Sequence, residues 1–235
     1  MDDRWIFNFR KRKPVEGEEV TFEEAEAFLL GKLNDPEENP HAVRLSLVEF
    51  YGEMECLEQA MRYAEEYLAE STDPLETAGM IFHQGQLMEK AEEWGSAVEY
   101  YRKALEMGSL VDMDRYWLHN NIGYSLNRSA RFCEAEPHLR EAIRLDPSRP
   151  NAFKNLGLSL EGQGRSVEAA ASYIAAVRAD ASDARALRHL EELVERHREL
   201  YEEIPDLEYQ ISKCQEAVGF VQGRLIPPAP ARKPS

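Results

Sequence analysis

Between residues 116 and 183 the apolar positions step by three and four, break, and recur as a block thirty-four residues on. Gly157, Leu160, Ala169 and Ala176 repeat Gly123, Leu126, Ala135 and Ala142 at that interval. A further step back takes thirty-eight residues and reaches Gly85, Met88, Ala97 and Ala104. Steps of three and four put residues on one face of an α-helix, and strand-like alternation is hard to find. The pattern therefore predicts a nearly all-α chain and one continuous unit. The four extra residues are assigned to the "MGSLVDMD" corner, where Gly108 ends one helix and Asp112 or Asp114 caps a longer one. The stretch "EAIRLDPSRPNAFKNLG", residues 141–157, contains the other kind of corner. Leu145, Asp146 and Pro147 end a helix, Pro147 and Pro150 stop its continuation, and Phe153 begins the next buried face. Pro137 is expected in the first turn of its helix or just beyond, where amides lack intrahelical partners. That helix stays intact, with Arg131 to Cys133 as its approach.

Outside the block the periodicity weakens. "PHAVRLSLVEFYGEMECLEQAMRYAEEYLAESTDP" gives a degenerate hairpin with Leu47, Val48, Tyr51, Ala60, Ala64 and Tyr67 in comparable places. Before it, Thr21 and Glu24 form a capping-box pattern opening a short amphipathic helix. Downstream, Leu187, Leu190, Val194, His197, Tyr201 and Ile204 predict one long helix that Pro205 breaks. Leu207, Ile211, Cys214, Val218 and Val221 predict another. The organisation expected is an arm at 1–19, repeats at 41–74, 78–111, 116–149 and 150–183 within a body at 20–183, capping helices at 184–222, and a disordered tail at 223–235.

This pattern resembles the tetratricopeptide repeat, a thirty-four-residue helix-turn-helix unit with an aromatic, Leu-Gly, Tyr, Ala, an aromatic, Ala and Pro at fixed offsets. The clearest copy has Phe153, Leu156, Gly157, Leu160, Ala169, Tyr173 and Ala176, with Ala181 in place of Pro. The preceding copy has His119, Ile122, Gly123, Leu126, Ala135, Leu139, Ala142 and Pro147. A looser one has Ile81, Gln84, Gly85, Met88, Ala97, Tyr101 and Ala104. The resemblance implies an all-α fold, a right-handed α-solenoid of helical hairpins closed by a C-terminal capping helix. Each hairpin leaves an apolar face that its neighbour must cover. The signature glycine is expected to face a small alanine across the hairpin.

The resemblance also implies that the first helix of each repeat lines a concave face, which its second, fifth, sixth and ninth places present to a ligand. Those places hold Phe82, His83 and Gln86, then Trp117, Asn120, Asn121 and Tyr124, then Asn151, Lys154, Asn155 and Leu158. Arg185, Arg188 and His189 continue the series on the capping helix. Side-chain amides both donate to and accept from a peptide backbone, and the cations attract carboxylate. An extended, acidic segment of another protein is the expected partner. Among family members with a carboxylate clamp for chaperone tails, the set is Lys, Asn, Asn, Lys and Arg. Here Asn155 matches, Arg185 and His189 keep basic character, and Asn120 and Tyr124 replace the first Lys and Asn.

Composition narrows the classes further. A formal charge of -16 over 235 residues disfavours nucleic acid, whose affinity rests on neutralising phosphates. Cys56, Cys133 and Cys214 lack the paired spacing of a zinc or redox site, and fit a reducing, cytoplasmic setting. The apolar patch of Trp5, Ile6, Phe7 and Phe9, followed by basic residues, is too short for a signal core or a membrane span. It is expected to pack on the chain itself or on a partner, without stable membrane insertion. Six histidines occur without HExxH or a helical Glu-x-x-His pair, and no glycine-rich phosphate loop or nucleophile elbow is present. No enzyme activity, cofactor or metal is expected. The function implied is a protein-binding adaptor. Alternatives are a scaffold that self-associates through Ile211, Cys214 and Val218, or a chaperone-like subunit of a larger complex.

Overall fold

The computed structural model describes residues 21–108 and 112–221, which form twelve helices and no strand. The N-terminal arm with its Trp5 patch, the residues that join the two middle repeats, and the proline-rich tail lie outside the described residues. So do the Asp112 and Asp114 side chains proposed as caps. The chain divides into two compact units between Ser109 and Leu110, where one continuous unit is expected from sequence. The division falls in the corner assigned the four extra residues.

The first unit contains α1 (Phe22–Leu33), α2 (Pro40–Glu53), α3 (Leu57–Glu70), α4 (Pro74–Lys90) and α5 (Trp94–Glu106). Thr21 caps α1 as its sequence predicts: its Oγ1 accepts from the Glu24 amide at 3.2 Å, and the Glu24 carboxylate accepts from the Thr21 amide at 2.9 Å. Asn39 and Asp73 cap α2 and α4, each followed by proline at the first helical position, where a missing N–H costs nothing. The second unit contains α6 (Asp112–Arg128), α7 (Phe132–Leu145), α8 (Pro150–Gly162), α9 (Ser166–Ala179), α10 (Arg185–Arg196), α11 (Leu200–Glu203) and α12 (Leu207–Val221). Gly108 has φ +68° just past the end of α5, a conformation that glycine adopts without steric cost.

Four hairpins, α2 with α3, α4 with α5, α6 with α7 and α8 with α9, pack along their length. The turns inside them share one geometry. The amides of Cys56, Glu93, Arg131 and Arg165 donate five residues back, to Tyr51, Met88, Leu126 and Leu160, each at 2.9 Å. The residue before each donor, Glu55, Glu92, Ala130 or Gly164, has positive φ. This is a Schellman-type helix end, which needs a left-handed residue, and only the last hairpin provides glycine. At the corners between hairpins, Asp146 and Asp180 accept from the amides of Ser148 and Ser182 at 3.0 and 2.8 Å. The same aspartate turn thus closes two repeats thirty-four residues apart.

The signature glycines occupy equivalent interhelical contacts, though not opposite alanine as expected. A Cβ on Gly85 would lie 2.4 Å from the Tyr101 ring, one on Gly123 2.4 Å from Leu139, and one on Gly157 2.4 Å from the Tyr173 ring. The glycine makes room for the large residue of the facing helix, while Ala97, Ala135 and Ala169 are buried at other points of the seam. In the degenerate hairpin the sizes are exchanged. Buried Val48 stands at the glycine place and buried Ala64 at the aromatic place. Gln84, polar where the signature is apolar, is buried as well.

Three further expectations are corrected. Helix α7 starts at Phe132, so residues 132 and 133 are helical rather than an approach, and Pro137 is its sixth residue. The helix survives the loss of one intrahelical amide bond. The predicted long helix stops at Arg196, with His197 at φ −125° and ψ 72°. Bending there buries Leu200 and leaves Tyr201 exposed, and it lets α12 turn back onto α9 and α10. Finally, Ile211, Cys214 and Val218 are buried within the unit, so this stripe caps the hairpins and is not available for pairing with another copy.

Candidate functional site

Ten of the twelve candidate residues belong to the second unit, on α6, α8 and α10. His83 and Gln86 lie half-buried on α4 of the first unit. Beside His83, Phe82 packs on the Tyr101 ring at 5.5 Å, which is a core contact rather than a ligand-facing one. Trp117 likewise joins the cluster of Tyr116, Ala142 and Ala152.

The amide row is partly structural. Asn120 and Asn155 are buried. The Asn155 Nδ2 donates to the Asn120 Oδ1 at 3.1 Å, and the Asn120 Nδ2 donates to the Asn121 Oδ1 at 3.1 Å. Asn127, one turn after Tyr124, donates to the Asn155 carbonyl at 2.8 Å. This chain of bonds ties α6 to α8, so the amides of Asn120 and Asn155 are committed to holding the hairpins in register. Asn121, Tyr124, Asn151 and Leu158 are half-buried. Tyr124 and Leu158 line a cavity of about 430 Å³ with Phe132 and Gly162, bordered by Arg128 and Arg196. Arg128 donates to the Tyr124 hydroxyl at 3.1 Å, and Arg196 pairs with Glu161 at 2.6 Å.

The cations gather at the α8–α10 end. Burial lowers the Lys154 pKa, and the Arg185 charge lowers it further against the opposing pull of Asp183. Lys154 and Arg188 make no side-chain hydrogen bond or ion pair among the described residues. Arg185 is exposed and bound to Asp183, its Nη2 at 2.6 Å, which holds the Asp183 carboxyl down to about 2. His189 stacks on the Tyr173 ring at 5.5 Å and 21°. Its pKa is lowered chiefly by burial, against Glu192 and Glu161, with Lys154 and Arg188 lowering it further. Tyr173 donates to Glu161 at 2.8 Å. The ring that fills the Gly157 notch thus also supports His189.

Sequence reasoning missed Asp183, which sets the Arg185 side chain, and Glu161, which joins Tyr173 to Arg196. Asp183 carried a signal: two residues before Arg185, its Oδ1 accepts from the Arg185 amide at 3.0 Å, a local aspartate turn. Glu161 carried none, because its partners lie 12 and 35 residues away.

The model for the tetratricopeptide repeat matches residues 121–184, which run from α6 to the start of α10. Residues 121–184 carry tetratricopeptide repeats. Solved structures share the fold. MamA from residue 41 to its end, from Desulfovibrio magneticus RS-1, aligns with a TM-score of 0.60 and 18% identity, over 80% of this chain and 97% of that one. Another MamA structure gives 0.61 at 16% identity, over 81% and 98%. YrrB, described as a tetratricopeptide protein with an unusual peptide-binding site, gives 0.57 at 17% identity, over 84% and 93%. No curated protein sequence matches. At these identities the likeness shows the fold alone. The repeats account for the Gly123 and Gly157 notches and for the order of helices that brings Asn121, Tyr124, Lys154 and Leu158 onto neighbouring first helices.

Proposed function

We propose that this chain is a non-enzymatic, cytoplasmic adaptor whose second unit binds an extended acidic segment of another protein along α6, α8 and α10. One observation carries the reading: half-buried Lys154, without an acceptor among the described residues, sits with Arg185, Arg188 and His189 in an otherwise acidic protein. Crowded cations in a partly desolvated place depress one another's protonation, and an arriving carboxylate relieves that strain with charge-assisted bonds. Asn121, whose Oδ1 already accepts from Asn120, and Asn151 would meet the peptide backbone, while Tyr124 and Leu158 would offer an apolar seat. Asn120 and Asn155 position the helices. The free thiols of Cys56, Cys133 and Cys214 support the reducing compartment, and no described helix is long and apolar enough to cross a membrane.

The test is fluorescence anisotropy with acidic ten-residue peptides, in free-acid and amidated forms, against wild type and Lys154→Met/Arg188→Glu. Arg185 is left in place because its bond to Asp183 belongs to the start of α10. Losing two charge-assisted contacts should weaken binding by at least about tenfold, since each factor of ten is about 1.4 kcal/mol. Equal affinity in wild type and variant, or indifference to salt, counts against the site.

A second reading, self-association, now rests on the outer face of α12, where Tyr209, Phe220 and Val221 are exposed. Light scattering of wild type and Phe220→Glu decides it: a monomer in both rules it out.

A further inference from the structure

His119 stands where the repeat signature has a large aromatic, one turn before the Gly123 notch on α6. On the facing helix α7, His138 directly precedes Leu139, the residue that fills that notch. The two imidazoles meet Nδ1 to Nδ1 at 3.1 Å, with ring centroids 5.3 Å apart. A hydrogen bond between two Nδ1 atoms needs one N–H and one lone pair. It therefore requires that one ring keep its Nδ1 unprotonated. A first added proton goes to the Nε2 of the donor ring and leaves the bond intact. A second must go to the acceptor's Nδ1, where two N–H groups and two positive charges would then face each other.

We propose that the His119–His138 contact is an acid-labile latch between α6 and α7, closed while the pair carries at most one extra proton and opened by the second. The surroundings oppose the second charge. Both rings are half-buried, and burial is the largest influence lowering the His119 pKa, with Arg115 and Arg144 adding to it and Glu141 opposing. Along α7, Glu134 and Glu141 lie one turn either side of His138, and each is paired with an arginine, Arg131 and Arg144, at 2.7 Å. That pairing tempers the pull of the two acids on the rings without cancelling it, since Glu141 still raises the His119 pKa. The sign follows from the lowered His119 pKa in the folded state and from the like charges that a second proton would set face to face. The latch contributes stability above the ordinary imidazole range and loses it as pH falls below that range, because the unfolded chain then binds more protons. Because α6 also carries Asn120 and Asn121, opening the latch loosens the helix that the amide chain ties to α8.

The full-length chain provides the test. Imidazole ring-proton resonances of His119 and His138, assigned with His119→Phe and His138→Gln, are followed from about pH 8 to about pH 4.5. The expected result is a coupled titration in two separated steps, the lower one belonging to the pair. In parallel, His138→Gln keeps a hydrogen-bonding partner without a titrating ring. Between about pH 7.5 and pH 5 wild type should lose roughly 3 to 5 °C more in melting temperature than this variant, the shift for one pKa unit in a chain of this size. Two rings that titrate independently at ordinary positions overturn the proposal, as does an equal acid-induced loss in wild type and His138→Gln. Should the variant not fold, the wild-type titration decides alone.

Discussion

Adding one methyl group to Gly157 tests the packing rule on which the repeats rest. The new Cβ would lie 2.4, 2.6 and 2.9 Å from three carbons of the Tyr173 ring, closer than carbon atoms approach. Tyr173 is fully buried, and its hydroxyl is tied to Glu161 at 2.8 Å, so the ring cannot swing aside cheaply. Overpacking of this kind costs about 1 to 3 kcal/mol. Against it, alanine gains about 1 kcal/mol over glycine in a helix interior. Gly157→Ala should therefore run from near neutral to about 2 kcal/mol destabilising. Gly79 on α4 is the control, because a Cβ there meets nothing within 4 Å. Gly79→Ala should stabilise by about 0.5 to 1 kcal/mol, and the difference between the two variants isolates the notch. Urea unfolding in a Trp5→Phe background reads both, with Trp94 reporting on the first unit and Trp117 on the second. A second arm copies the exchange already present at Val48 and Ala64. Gly157→Val combined with Tyr173→Ala should cost less than the sum of the single changes, with a coupling of about 0.5 to 3 kcal/mol. Equal midpoint shifts for Gly157→Ala and Gly79→Ala, or additive paired substitutions, would refute close packing at the notch.

Other consequences can be checked in the same way. Glu92 and Ala130 hold the left-handed turn position with φ of 59° and 56°, so Glu92→Gly and Ala130→Gly should each raise stability by up to about 1 kcal/mol, read as a higher urea midpoint; a lower midpoint for both would contradict it. Asn155→Ala strips Asn120 of its buried amide donor and should cost about 1 to 3 kcal/mol, whereas Asn120→Leu with Asn155→Leu should cost less than the two changes summed. Free-acid and amidated peptides should separate at Lys154 and Arg188 by about tenfold if a terminal carboxylate is bound there, and bind alike if acidic side chains are what the cations meet.

The recurring glycines, the proline-marked corners and the Thr21 cap are local features, and they determined the helices, the hairpins and the repeat from the sequence alone. Helix periodicity and turn chemistry act over a few residues, so their traces lie close together along the chain. The same local pattern could not say what faces each glycine. That depends on which side chain of a helix sixteen residues away points into the notch, and the answer was Tyr101, Leu139 or Tyr173 rather than alanine. Nor could it tell which amides hold helices together, since Asn120 and Asn155 meet only when α6 packs on α8. The bend at His197 also arose from tertiary packing, because burying Leu200 and returning α12 to α9 and α10 outweighs continuing a helix whose periodicity runs on to Ile204. His119 and His138 lie nineteen residues apart on two helices, and their shared proton exists only because the Gly123 notch brings those helices close. Short-range chemistry wrote the elements into the sequence, and the candidate site and the His119–His138 contact emerged where close packing set distant side chains against one another.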